Sequence, residues 1–238
     1  MSPNYRVNDS ILGRIERPAL AWIAQRLPAW LTPDHLTAFG FLGALISAAG
    51  YVASNHSIDF LWLSCLGLAM NWWGDSLDGT LARTRAIERP RFGFFVDQTS
   101  DLFAQAILFF ALGASRCAHF AISCLGLIAL QMGLAYSLII LHVRDSFRIT
   151  YLGIGITEIR VLLIAGNLIM LASNAVEPGN LVKILAVPLP PWTIFDLVIC
   201  LLTSAGLLTF ALLAIAEGRR LRWVDHGEID DGTSKENG

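Results

Sequence analysis

From Leu36 to Asn55 the chain runs without one charged side chain. A helix needs about 20 apolar residues to cross the ~30 Å hydrocarbon core of a bilayer. Within lipid only a helix or a closed barrel satisfies its own backbone groups. Gly40, Gly43, Ser47, Ala48 and Gly50 in this run are small residues that let two helices approach closely. Five further segments read the same way: Phe60 to Gly74, continuing as a polar helix toward Arg83, then Gly93–Ala114, Cys117–Val143, Ile159–Val176 and Trp192–Ala216. Pro188, Pro190 and Pro191 break the chain before the last. Hydrophobic residues make up 55% of the chain and charged ones 15%, against about 25% charged in a soluble domain. The predicted fold is an all-α integral membrane protein with six transmembrane helices.

Charge placement orients these spans. Fifteen of the seventeen Lys and Arg residues fall before residue 36, in 83–92, in 144–160 or in the tail; only Arg116 and Lys183 lie in the alternate loops. Cytoplasmic loops collect positive charge, so both termini and the 83–92 loop are expected in the cytoplasm of a multi-pass cell-membrane protein. Residues 1–35 read as an N-terminal arm whose apolar residues between Ile11 and Trp30 alternate with arginines, the pattern of an interfacial helix. No continuous apolar stretch precedes Pro28, which disfavours a cleaved signal peptide. Residues 36–216 are expected to form the six-helix transmembrane catalytic domain, and the polar tail 217–238 has little to bury and is expected to be disordered. A net charge of -2 gives no basic footprint for nucleic acid. Cys65, Cys117, Cys124 and Cys200 show no zinc-ligand spacing and read as small apolar residues.

Against this apolar background stand four aspartates. Asp75 and Asp78 are three residues apart, Asp97 and Asp101 four apart, so each pair shares one face of its helix. Four carboxylates on facing helices repel unless cations lie between them, and oxygen-only ligands suit Mg²⁺, Mn²⁺ or Ca²⁺. Gly79 and Ala82 leave room beside the acids, while Arg83, Arg85, Arg89 and Arg91 supply positive charge suited to phosphate. Metal-binding acids, small residues and arginines together describe a phosphoryl-transfer site.

The stretch Asp75-Ser-Leu-Asp78-Gly79-Thr-Leu-Ala82-Arg83, followed after nine residues by Gly93-Phe-Phe-Val-Asp97-Gln-Thr-Ser-Asp101, resembles the DxxDGxxAR...GxxxDxxxD signature of the CDP-alcohol phosphotransferases. All eight fixed positions match, an event of order 10⁻⁹ at a given start if each position matches at ~7%. The resemblance implies an enzyme that cleaves the pyrophosphate of a CDP-linked alcohol, releases CMP and passes the phosphoalcohol to a hydroxyl of a second substrate, one of the two being a lipid. It implies Asp75, Asp78, Asp97 and Asp101 as ligands of two Mg²⁺ or Mn²⁺ ions, with Asp101 also the catalytic base. It further implies a CDP pocket shaped by Gly79, Ala82 and Gly93, Arg83 on a phosphate, a cytoplasmic site and a homodimer. The residues alone do not choose between Asp97 and Asp101 as base.

Gly155-Ile-Thr157-Glu158-Ile-Arg160 resembles the GPTE stretch of the aminoalcohol branch, with Ile156 in place of the proline. Thr157, Glu158 and Arg160 are thus expected on the acceptor side, although Thr157 capping a helix with Glu158 in its first turn accounts for the same pattern. The leading expectation is a membrane transferase of phospholipid synthesis using CDP-diacylglycerol or a CDP-aminoalcohol. A divalent-cation transporter with an aspartate-lined path is the alternative, but it does not require Gly79, Ala82, Arg83 and Gly93 in this register. Asp196, at the entrance to the sixth span, reads as facing water, and His119 as satisfied by local hydrogen bonds.

Overall fold

The computed structural model describes residues 6–7, 11–144, 147–148, 156–173 and 192–236. Apart from a two-residue parallel pairing of Arg6–Val7 with Phe147–Arg148, its elements are helical. They are α1 (Ile11–Ala24), α2 (Pro33–Ala53), α3 (Leu61–Thr84, entered through the 3₁₀ turn Ile58–Phe60), α4 (Pro90–Gly113), α5 (Phe120–Arg144), α6 (Ile156–Ser173) and α7 (Ile194–Glu236). Pro33–Ala53, Phe120–Ile140 and Ile194–Trp223 are long and apolar enough to cross a membrane, which marks a membrane protein.

The ends of the helices have local causes. Thr32 caps α2: its hydroxyl accepts from the His35 amide, and His35 Nδ1 accepts in return from the Thr32 amide, both at 3.3 Å. Helix α2 therefore starts at Pro33, three residues before the apolar run. Helix α3 stops where the Ala86 amide bonds back to Arg83 and the Ile87 amide to Ala82, the paired bonds of a Schellman turn. That turn needs a left-handed residue, and Ala86 supplies it at φ 53° without glycine's freedom. Pro90 then opens α4 with a preset φ.

Helices α2 and α3 meet almost backbone to backbone. Leu36, Gly40, Gly43, Ser47 and Gly50 lie buried along one face of α2, opposite Ser64, Gly67, Asn71 and Gly74 of α3. A Cβ at Gly43 would lie 2.5 Å from the Asn71 nitrogen and 2.7 Å from the Gly67 oxygen, closer than real side chains come. Side chains bridge the seam: Asn71 Nδ2 donates to the Gly40 carbonyl and the Ser64 hydroxyl to that of Ser47, each at 3.0 Å. Helix α4 packs on α2, and α6 packs on α3. Phe195 of α7 meets Tyr51 edge-on with ring centroids 6.4 Å apart and covers Gly166 of α6, while Ile199 of α7 covers Gly126 of α5.

Helix α1 is the expected N-terminal helix. It buries Leu20 and Ala24 against Leu36, Leu77 and Leu81, and Trp72 Nε1 donates to Glu16 at 2.9 Å. Two expectations fail here. The helical backbone of α7 continues past Ala216 to Glu236, through the tail expected to be disordered, as a formed helix extends at little cost per residue. Asp196 is fully buried, not water-facing: it accepts from the His119 amide and ring Nδ1, both at 2.7 Å, and from the Thr193 amide and hydroxyl. His119 is thus satisfied, by a residue far along the chain. The four cysteines are unpaired.

Gly43→Val would force the α2–α3 seam apart, so its melting temperature in detergent should fall, overpacking costing about 1–3 kcal/mol. Gly206→Ala, where a Cβ meets nothing within 4 Å, should be neutral or slightly stabilising. Equal melting temperatures for Gly43→Val and the parent would refute a seam set by close approach.

Candidate metal centre

Three of the four aspartates converge. Asp75 in the second half of α3, and Asp97 and Asp101 in the first half of α4, each offer a carboxylate oxygen, and these atoms lie within 4.8 Å of one another. Because α3 and α4 both pack on α2, the seam that fixes α3 also fixes the separation of the two acid pairs.

Asp78 is placed differently from its three neighbours. One of its oxygens accepts from the Thr37 hydroxyl at 2.6 Å and the other from the Gly79 amide at 2.5 Å, and it stands outside the group of three. It nonetheless lines the same small cavity as Thr37, Asn71, Asp75, Ser100 and Asp101. Each carboxylate oxygen has two lone-pair directions, so one donated bond still leaves a site for a cation. Thr37 was not found from sequence; its position three residues before Gly40, on the seam face of α2, was the available signal.

Arg160 enters this site from α6. Its Nη1 lies 2.6 Å from Asp75 Oδ2 and its Nη2 3.7 Å from Asp101 Oδ1, with the side chain 5% exposed. Sequence reading expected Arg160 on the acceptor side and did not pair it with the acids. A guanidinium inside a predicted span requires a carboxylate partner, and that rule was the missed signal. Thr157 and Glu158 are half-buried in the first turn of α6 and line neither this cavity nor its neighbour.

The cluster of arginines expected for phosphate divides by role. Arg85 donates to the carbonyls of Leu27, Pro28 and Leu31 at 2.5–2.9 Å and so ties the end of α3 to the α1–α2 connection. Arg89 pairs with Asp34. Neither is positioned for phosphate. Arg83 is exposed, donates to the Thr80 hydroxyl at 3.2 Å, and lies 3.3 Å from where a Cβ of Gly79 would be. Ala82 is half-buried, and a Cβ at Gly93 would meet nothing within 4 Å, so packing does not explain a glycine there.

Three carboxylates within 4.8 Å form an all-oxygen donor set that fits Mg²⁺ or Mn²⁺ better than a softer metal. Arg160 already neutralises part of their repulsion, which in a low-dielectric interior is several-fold larger than in water. No protein-family model matches the sequence, and no curated protein matches it.

Arg160→Gln would leave Asp75 and Asp101 without their cation. Breaking a buried pair costs about 3–5 kcal/mol, and Asp75 is partly exposed, so a fall of roughly 5–15 °C in melting temperature is expected in EDTA. Millimolar Mn²⁺ should recover part of it. An equal loss with and without Mn²⁺ would show that arginine and metal do not share these carboxylates.

Proposed function

We propose that this protein is a membrane-embedded CDP-alcohol phosphotransferase: it moves a phosphoalcohol group from a CDP-linked alcohol to an acceptor hydroxyl and releases CMP. The observation that carries the proposal is the meeting of Asp75, Asp97 and Asp101, three fixed positions of the eight-residue signature, with carboxylate oxygens within 4.8 Å of one another, Asp75 and Asp101 also lining one small cavity. Asp75, Asp97 and Asp101, with Asp78 beside them, would hold two divalent ions. Bound there, these supply charge neutralisation at the pyrophosphate. Gly79, Ala82 and Gly93 leave space for the nucleotide, and Arg83 faces its phosphates.

The chain's own residues then carry the reaction. The acceptor hydroxyl gives its proton to the Asp101 carboxylate while its oxygen bonds to the phosphorus that bears the alcohol. The bond from that phosphorus to the bridging oxygen breaks, and CMP leaves with the electron pair. The chain crosses the membrane six times with both termini and the site in the cytoplasm, and works as a homodimer; the six apolar segments and the arginine asymmetry support the topology.

Purified protein given Mg²⁺ or Mn²⁺ and a panel of CDP-linked alcohols with hydroxyl acceptors should release CMP, and EDTA should stop it. Asp101→Asn should lower kcat by about 10²- to 10⁴-fold, the usual contribution of a general base, with the KM for the CDP substrate little changed. Near-normal turnover by Asp101→Asn at saturating metal would remove it as the base. No CMP release from any donor would refute the proposal.

A further inference from the structure

Asp101 belongs to two cavities that differ in character. The first, toward Thr37, Asp75, Asp78 and Ser100, is polar. The second lies between α4, α5 and α6; its walls include Leu108, Phe109, Ile159 and Leu163, and its polar lining residues are Asn71, Asp101, Gln105 and Arg160. Asn71, Asp101 and Ala104 form the wall common to both. A molecule in the second cavity therefore reaches the acids only at Asp101.

This geometry bears on which substrate is the lipid, and it rests on the transfer reaction proposed above. The group that takes the acceptor's proton must touch the acceptor's hydroxyl. The acceptor thus lies at Asp101, and the cavity that opens from Asp101 away from the other acids is walled by hydrocarbon. A sugar alcohol, an amino acid or a glycerol phosphate there would set most of its remaining polar groups against leucine, isoleucine and phenylalanine, with only Gln105 and Asn71, the latter already bonded to the Gly40 carbonyl, as further polar neighbours, which is costly. A hydroxyl on a hydrocarbon stem meets both requirements: its oxygen lies between Asp101 and Arg160 and its stem among apolar side chains. The pyrophosphate of a CDP-linked donor belongs instead with the acids and Arg83, along the polar cavity.

We infer that the hydroxyl acceptor is the lipid, a neutral long-chain alcohol of the diacylglycerol type held in the cavity beside Asp101, and that the CDP-linked donor carries a small water-soluble alcohol. The lipid oxygen forms the new bond to phosphorus, its proton passes to Asp101, and the phosphorus–oxygen bond to CMP breaks.

The test compares two reactions of the purified full chain in nanodiscs with Mn²⁺. One pairs diacylglycerol with CDP-choline or CDP-ethanolamine. The other pairs CDP-diacylglycerol with serine, inositol or glycerol 3-phosphate. CMP release in the first alone is expected. Release in the second at a comparable or greater rate overturns the lipid-acceptor inference while the transferase reading stands; release in neither overturns both. Ile159→Trp narrows the apolar cavity without touching the acids. It should raise the KM for diacylglycerol at least tenfold and leave the KM for the CDP donor unchanged, the unchanged value also showing that the variant is folded. A rise of equal size in both KM values, or in neither, would contradict the assignment of the cavity.

Discussion

The close crossing of α2 and α3 is the contact on which the site depends. Gly43 and Gly67 remove the side chains that would hold the helices apart, so Asn71 can donate to the Gly40 carbonyl and Thr37 can reach Asp78. Small residues are favoured at such seams because lipid offers no hydrophobic drive between helices, leaving van der Waals contact and interhelical hydrogen bonds to hold them. With α4 packed on the same α2, the positions of Asp75 and of Asp97 with Asp101 are set by one helix common to both.

The second constraint is charge. Carboxylates among apolar helices need hydrogen-bond donors or cations close by, and a cluster of them needs cations. One cation is built in, Arg160, which reaches Asp75 and Asp101 from α6, a helix that begins at Ile156, well after the signature ends at Asp101. The division of the remaining arginines follows the same logic. Arg85 satisfies three carbonyls where the chain leaves α1, and Arg89 holds Asp34 at the start of α2. These contacts fasten the connection between α1 and α2 to the segment that follows α3.

What could be read from sequence was what depends on short spacing. The absence of charge from Leu36 to Asn55 announced α2, and the three- and four-residue intervals put each aspartate pair on one helical face. The meeting of Asp75 with Asp97 and Asp101 agrees with the expectation that the pairs converge, while Asp78 stands outside that group, held by Thr37 and Gly79. Long-range partners did not follow. Nothing local to Arg160 names Asp75, 85 residues away, and nothing local to Asp196 names His119, 77 residues away. Thr37 on Asp78 is a third case, visible only once the seam register is known. The boundary of α7 was missed because polarity ends an apolar span without ending a helix.

The central claim is that Asp75, Asp97 and Asp101 hold divalent cations, and it is tested most directly by titrating Mn²⁺ into the purified, metal-stripped protein and following free Mn²⁺ by electron paramagnetic resonance. Saturable uptake approaching two ions per chain is predicted, with affinity lowered more than about tenfold in Asp75→Asn and in Asp97→Asn. Uptake by the Asp75→Asn/Asp97→Asn/Asp101→Asn variant indistinguishable from that of the parent would contradict the account.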